Sequence, residues 1–335
     1  MSASAVIFGC AGSALTLEEK KFFRDADPWA FILFTRNLVE QDGIVRLCDA
    51  LRDTVGRDAP ILIDQEGGRV ARLREPLASE WPSPADQIDG LDVPTAQEVM
   101  QLRYRLIASE LRELGITVNC APLLDLIFPQ THDIISDRAY GSDPDFVARI
   151  GRAVMDGHLA GGVLPVIKHM PGHGRASVDS HHDLPRVTAT RDDLTKSDFV
   201  PFAALNDATL GMTGHIVFEA IDREHCATQS PSVVDVIRKE IEFDGLLMTD
   251  DLSMKALKGS VADRSKRSLE AGCDVVLHCN GNIEEMTEIM SVIPSLSDAS
   301  LRRADAALAQ LKPPPAFDAE QARMRYRDLL NTRNA

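Results

Sequence analysis

The sequence predicts a single-domain α/β fold of the (β/α)8 TIM-type barrel class, and three observations predict it. Eight short apolar runs recur along the 335 residues, each near-continuously apolar rather than alternating. Parallel strands covered on both faces have that character. Amphipathic stretches with helix start signals separate the runs, and the length suits a barrel of about 250 residues with insertions. A doubly wound open sheet is the competitor that periodicity does not exclude. The expected organisation is one domain over residues 1–335, with residues 313–335 as a C-terminal helical extension.

The runs lie at residues 5–8, 30–34, 60–63, 116–120, 163–167, 210–213, 246–249 and 275–279. Between the first and second, Thr16-Leu-Glu-Glu19 has the form of a capping box, and Thr95-Ala-Gln-Glu98 repeats it between the third and fourth. After Thr95, Val99, Leu102, Leu106, Leu111 and Leu114 form one apolar stripe at helical spacing, which Gly115 stops. Asp143-Pro144 and Ser230-Pro231 each place a capping side chain before a proline at the first helical position. Thr190-Arg-Asp-Asp193 supplies a further start. The Pro313-Pro-Pro315 run is a stiff connector to an outer helix over residues 318–330.

Composition bounds the function. A formal charge of -15 and a pI near 5.0 argue against a nucleic-acid or anionic-membrane partner, which would want a basic patch. The six cysteines are scattered without a CxxC pair, as buried thiols in a reducing compartment would be. The N-terminus lacks the basic and apolar regions of a signal peptide, and no apolar stretch spans a bilayer. A cytoplasmic protein is expected.

In a barrel, functional groups belong at the C-terminal ends of the strands. The most informative such segment is Lys168-His-Met-Pro-Gly-His-Gly-Arg-Ala-Ser-Val-Asp-Ser-His-His182, with four of the nine histidines in fifteen residues, read as a loop after the fifth strand. The bland reading, a histidine-rich surface loop, fits poorly directly after a buried strand. The third strand leads into Asp64-Gln-Glu-Gly-Gly-Arg-Val-Ala-Arg72 and the fourth into Asn119-Cys-Ala-Pro-Leu-Leu-Asp125, with Arg138 further along the same connection. The sixth is followed by His215 and the seventh by Asp250-Asp251. Each has an alternative reading. Asp64 can cap a helix, Gly67-Gly68 can be an ordinary turn, Arg72 and Arg138 can be surface arginines, and His215 can be a hydrogen-bonded core histidine. Lys168 is harder to dismiss, because lysine is seldom enclosed without a partner. Of two adjacent aspartates in an extended segment, one faces the barrel axis and the other turns away.

No phosphate-binding glycine motif, H-E-x-x-H or G-x-S-x-G occurs. What remains is a metal site on His169, His173, His181 and His182, or metal-free acid/base and nucleophilic chemistry. For the latter, Asp250 at a strand end can attack a sugar while His181 donates a proton, oriented by Asp179 two residues before it. A catalytically silent sugar-binding protein is a third reading, disfavoured because both Asp250 and His181 are present.

The combination of Ile63-Asp-Gln-Glu-Gly-Gly-Arg69, Lys168-His-Met-Pro-Gly-His-Gly174, Asp179-Ser-His181 and Gly245-Leu-Leu-Met-Thr-Asp-Asp-Leu-Ser-Met254 closely resembles the family 3 glycoside hydrolases, more narrowly their bacterial β-N-acetylhexosaminidases of peptidoglycan recycling. The resemblance runs from Phe34-Thr-Arg-Asn37 to Ala271-Gly-Cys-Asp274. It implies a retaining reaction on terminal β-linked N-acetylglucosamine of 1,6-anhydro-muropeptides, with Asp250 as nucleophile, His181 as proton donor and Asp179 as its partner. Asp64, Arg72, Arg138, Lys168 and His169 carry over as sugar contacts. No metal or cofactor is implied, the partner is a small amino-sugar or muropeptide substrate, and a monomer is expected. Phosphate can replace water as acceptor in enzymes with this dyad. Met170 stands where many relatives carry an aromatic, and is expected to soften a wall of the site.

Overall fold

The chain, described over residues 2–176 and 184–332 of a computed structural model, closes a barrel of eight parallel strands. They are β1 (Ser4–Gly9), β2 (Pro28–Leu33), β3 (Ile61–Ile63), β4 (Val118–Asn119), β5, β6 (Leu210–Thr213), β7 (Leu246–Asp251) and β8 (Val275–His278). Strand β5 runs in two pieces, Leu164–Pro165 and Ile167–Met170. The lower piece pairs with β4 and the upper with β6, so one strand closes the circle. Every expected apolar run is one of these strands, and the open sheet is excluded by the closure.

Strand parity divides the apolar residues into two layers. Ile7, Ile32, Leu62, Val118, Val166, Met212, Met248 and Leu277 fill the barrel, whereas Val6, Phe31, Ile63, Ile167 and Leu247 pack outward against helices. The helices are α1 (Leu17–Ala26), α2 (Gln41–Val55), α3 (Pro84–Ile88), α4 (Val93–Glu113), α5 (Pro144–Ala160), α6 (Arg191–Lys196), α7 (Val200–Ala204), α8 (Pro231–Lys239), α9 (Val261–Ala271), α10 (Ile283–Met290), α11 (Asp298–Leu308) and α12 (Ala319–Asn331). Thr16 closes the capping box expected of it, Thr190 starts α6 as expected and closes a box with Asp193, and Asp143 and Ser230 cap α5 and α8.

Two expectations need correction. Helix α4 starts at Val93, capped by Asp92, whose side chain accepts from the Thr95 amide. Pro94 suits the first turn, which places the helix start ahead of the Thr95 box; Glu98 pairs instead with Arg325. Lys168 and His169 belong to strand β5 itself rather than to a following loop. The extra length is held because the Lys168 amide donates to Pro122 O (3.1 Å) and the Leu124 amide to Lys168 O (2.7 Å). The C-terminal segment forms the expected outer helix, α12, which lies against α4. All six cysteines are buried free thiols. Among the described residues no helix is long and apolar enough to cross a membrane.

Candidate active site

A cavity of 270 Å³ opens at the C-terminal end of the barrel, directly above the inward layer of Ile32, Met212 and Leu277. That volume lies just below the roughly 300–1,000 Å³ of drug-sized ligand clefts and suits a single sugar ring. Asp64, Arg69, Arg72, Arg138, Lys168, His169, Asp250 and Asp251 line it, with Phe34, Met254 and Cys279 between them.

The third strand delivers one wall. Directly after β3 the chain makes a hairpin, Gln65–Gly67 against Val70–Ala71, which turns at Gly68-Arg69 just after Gly67. Both glycines have positive φ (102° and 58°), and a Cβ on Gly67 would fall 2.9 Å from the Pro82 carbonyl oxygen. Asp64 and Arg72 at the hairpin base pair at 2.9 Å. Lys168, following Leu164 and Val166 on the inward parity of β5, reaches Asp64 at 3.1 Å and Glu66 at 2.6 Å. Arg138 grips both Glu66 oxygens, at 2.8 and 2.9 Å. Glu66, Lys168 and Arg138 are buried and Asp64 and Arg72 partly so, and a buried charge is tolerated only when paired. Burial pushes both carboxyls up, but the neighbouring cations outweigh it. Lys168 and Arg72 hold Asp64 well below the carboxylate range, and Arg138 and Lys168 bring Glu66 down to about 2. Lys168 and Arg138 are in turn raised, their carboxylates overcoming burial. The wall is a fixed array of charges that presents donors and an acceptor to hydroxyl groups.

Strands β4 and β5 deliver a second group. Asp125 is fully buried, and its Oδ2 lies 2.7 Å from His169 Nδ1. Its Oδ1 accepts the amides of His169 (3.2 Å) and His173 (2.6 Å). Burial raises Asp125, yet His169 and the His173 amide keep it low. An ionised carboxylate at Nδ1 requires the proton there, which fixes the tautomer and orients the ring at the cavity wall.

At the end of β7, Asp250 and Asp251 both line the cavity, and hydrogen bonding separates their roles. Asp251 is consumed by structure. Its Oδ1 accepts the amides of Ser253 (3.0 Å) and Cys279 (3.2 Å), and its Oδ2 accepts the Ser253 hydroxyl (2.6 Å). Among the described residues, Asp250 Oδ1 accepts only the neighbouring Asp251 amide, at 2.8 Å. Burial raises the Asp250 carboxyl, but His169, His215 and that amide leave it below its ordinary value. An ionised, lightly bonded carboxylate therefore faces the cavity, as a nucleophile must. His215 is the core histidine of the alternative reading. It is fully buried between Thr228 Oγ1 (2.8 Å) and Asp251 O (3.0 Å).

Of the expected site residues, Asp64, Arg72, Arg138, Lys168, His169 and Asp250 come together around this one cavity. His181 and Asp179 lie outside the described residues. Met170 does not soften the wall. It is fully buried outside the cavity, with its sulfur 2.8 Å from where a Cβ on Gly211 would stand. Glu66 and Asp125 were not singled out as site residues in the sequence. Glu66 is hidden in a glycine-flanked turn and its partners are 72 and 102 residues away, so no local spacing marks it. Among the described residues no group of three or more His, Cys, Asp or Glu side chains is placed to hold a metal ion.

Comparison with known proteins gives a consistent answer. The Glycosyl hydrolase family 3 N terminal domain matches residues 14–311. A β-hexosaminidase of Bordetella avium is 32% identical over 329 residues, covering 96% of this chain and 92% of its own. One of Pseudomonas aeruginosa is 33% identical over 279 residues, covering 82% of each. The crystal structure of NagZ from Neisseria gonorrhoeae in complex with N-trifluoroacetyl-D-glucosamine superposes with a TM-score of 0.84 at 27% identity, over 100% of this chain and 97% of that one.

Proposed function

Because the chain belongs to glycosyl hydrolase family 3, we propose that it is a retaining exo-β-N-acetylglucosaminidase, cleaving terminal β-linked N-acetylglucosamine from 1,6-anhydro-muropeptides in the cytoplasm, as a monomer and without metal or cofactor. The β-hexosaminidase relatives support the activity, and the amino-sugar analogue bound by the Neisseria gonorrhoeae protein supports the sugar. The motifs support the muropeptide and the covalent intermediate, and the six buried free thiols support the reducing compartment.

In this reading Asp250 attacks the anomeric carbon and forms a glycosyl ester, while His181, held by Asp179, protonates the leaving oxygen. His181 then takes a proton from water as the ester is hydrolysed. Asp64 accepts hydroxyl hydrogen bonds from the sugar, and Arg72, Arg138, Lys168 and His169 donate to it.

One observation carries the proposal. Every carboxylate that lines the cavity among the described residues is ionised or fully hydrogen-bonded. Asp64 is held low by Lys168 and Arg72, Asp250 is lowered by His169 and His215, and Asp251 is saturated by three donors. A glycosidase that used a protonated Asp or Glu as acid would need one raised by its surroundings. None of these three qualifies, which supports a donor from outside this set, as the His181 assignment requires. The lack of a second free carboxylate among the described residues also admits phosphate as an acceptor, so the assay includes it.

The test is nitrophenol release from the aryl β-N-acetylglucosaminide beside the aryl β-glucoside, with and without EDTA and with and without phosphate. Cleavage of the acetamido sugar that resists EDTA is expected, with free N-acetylglucosamine as product. Failure to cleave it, or loss of cleavage with EDTA, would move the clustered histidines to a metal site and end the roles given to Asp250 and His181.

A further inference from the structure

Behind the wall of the cavity, outside it, sits a buried arginine that the proposed chemistry does not use. Arg103 lies on α4 and is 0% exposed. Among the described residues no carboxylate is within ion-pairing distance of it. Its Nη2 donates to two main-chain carbonyls, Glu66 O at 2.7 Å and Pro82 O at 2.8 Å, and its Nη1 lies 3.4 Å from Gln87 Oε1. The guanidinium carbon stands 5.7 Å from the Trp81 ring and 5.5 Å from the Tyr104 ring, and Nε has no partner. A buried cation compensated only by carbonyls and ring faces is expensive, since desolvation costs several kcal/mol and no opposite charge offsets it. An apolar side chain of the same length would spare that cost.

The place where Arg103 acts explains its retention. Glu66 supplies the carboxylate that holds Arg138 and Lys168 on the sugar side of the hairpin. Its own carbonyl, on the far side, takes Arg103 Nη2 and the Tyr104 hydroxyl (2.9 Å). The contact leaves no slack, because a Cβ on Gly67 would stand 1.9 Å from Arg103 Nη2. The Gly68 amide donates to Trp81 O at 2.8 Å, which ties the hairpin tip to the same segment. This assembly reaches the C-terminal helix. Tyr326 on α12 donates its hydroxyl to Gln87 Oε1, and its ring meets Trp81 edge-on at 5.4 Å.

We propose that Arg103 is a positioning residue of the sugar pocket, fixing Glu66 and through it the donors Arg138 and Lys168, with Tyr326 of the C-terminal helix bracing it from outside. The inference rests on the glycosidase reading. Displacements of about 1 Å at a positioned group change rates or binding by up to a hundredfold, so a brace one residue behind the donors has measurable leverage.

The experiment compares the full-length wild type with Arg103→Met and Tyr326→Phe. For each, kcat and KM on the aryl β-N-acetylglucosaminide, the inhibition constant of N-acetylglucosamine and the thermal midpoint are measured. Arg103→Met is expected to raise KM and the inhibition constant about tenfold with kcat per folded molecule little changed, and Tyr326→Phe to raise both about two- to threefold. A purely structural role lowers the thermal midpoint and the active fraction, leaving KM and the inhibition constant where they were. That outcome in either variant overturns the proposal. If Arg103→Met does not fold, Tyr326→Phe decides alone, since it keeps the ring and removes one hydroxyl. A wild type that neither cleaves the glycoside nor is inhibited by N-acetylglucosamine defeats the functional reading, and this inference with it. An active wild type with unaltered variants defeats this inference only.

Discussion

Two adjacent aspartates at the end of β7 carry the same carboxylate with different work to do, and the difference is testable. Among the described residues Asp251 accepts three hydrogen bonds, which tie β7 to Ser253 and to the end of β8, whereas Asp250 accepts one. Asp250→Ala removes the attacking group, and turnover of the activated aryl glycoside should fall by a factor on the order of 10⁴ while N-acetylglucosamine still binds. Asp251→Asn keeps one acceptor oxygen but turns the other into a donor facing donors, which costs about 1–3 kcal/mol of stability. Its turnover per folded molecule should fall far less than that of Asp250→Ala. The pair of measurements is steady-state kinetics with active-site concentration fixed by inhibitor titration. Equal losses in the two variants would remove the distinction drawn from their hydrogen bonds. In the sequence only the family resemblance sets Asp250 apart from Asp251, and adjacency alone predicts that one of them turns away. Both line the cavity, and what separates them is the donors supplied by Ser253 and Cys279, which are in place only once the chain has folded.

At the scale of the element, the hairpin after β3 and the upper part of β5 act as one unit, joined by Lys168 and Glu66 at 2.6 Å. Glu66→Gln keeps the shape and removes the charge, leaving Arg138 without its bidentate partner and Lys168 with Asp64 alone. Breaking a buried pair on one side costs about 3–5 kcal/mol, so the variant should unfold at distinctly lower denaturant concentration, and KM should rise with it as the donors lose their anchor. A denaturation midpoint within error of the wild type would mean that Asp64 suffices for both cations. This unit also marks the limit of what the sequence displays. The strands are legible because burial on both faces demands continuous apolar runs, and residues 60–63 and 163–167 have them. The continuation of β5 through Lys168 and His169 is not legible, because polar residues normally end a buried strand. Here they extend it by meeting Asp64 and Glu66 from the segment after β3 and Asp125 from the segment after β4. The start of α4 fails for a related reason. Two capping signals compete, and Pro94 favours Asp92 over Thr95. Asp64, Arg72, Arg138, Lys168, His169 and Asp250 were readable as strand-end residues, while Glu66 and Asp125 needed their long-range partners to acquire a role.

Across the whole molecule, histidines enclosed in the fold make stability depend on pH, and the sign follows from one of them. Asn119 accepts the Gln65 amide at its Oδ1 and donates to Gln65 O from its Nδ2, both at 2.9 Å, so its orientation is fixed. The same Nδ2 lies 2.9 Å from His158 Nε2, which must then be unprotonated, while Nδ1 donates to Val154 O at 2.9 Å. His158 is a neutral tautomer enclosed between α5 and the barrel. Burial pushes it from 6.5 down to about 3, and burial likewise takes His173 to about 4 and lowers His215. In the unfolded chain these rings protonate near 6.5, before the folded ones do, so the unfolded state binds more protons over the interval below 6.5. Stability therefore rises with pH from about 3 to 6.5 for His158 and is lost on acidification, by about 1.4 kcal/mol per pH unit for each such ring. The depressed carboxyl of Glu66 adds a second loss on acidification, between its ordinary 4.5 and about 2, where the unfolded chain takes up its proton first. Urea midpoints measured from pH 4.5 to 8 should be flat above about 7 and fall increasingly below 6.5. In His158→Gln the amide can still accept from Asn119 but cannot titrate. Its curve should be shallower below pH 6.5 by about one proton, roughly 1.4 kcal/mol per pH unit, even if the variant is less stable at pH 8. An unchanged slope in that variant would show that His158 titrates alike in both states, and the acid sensitivity would then have to come from His173, His215 and the carboxyls of the sugar wall.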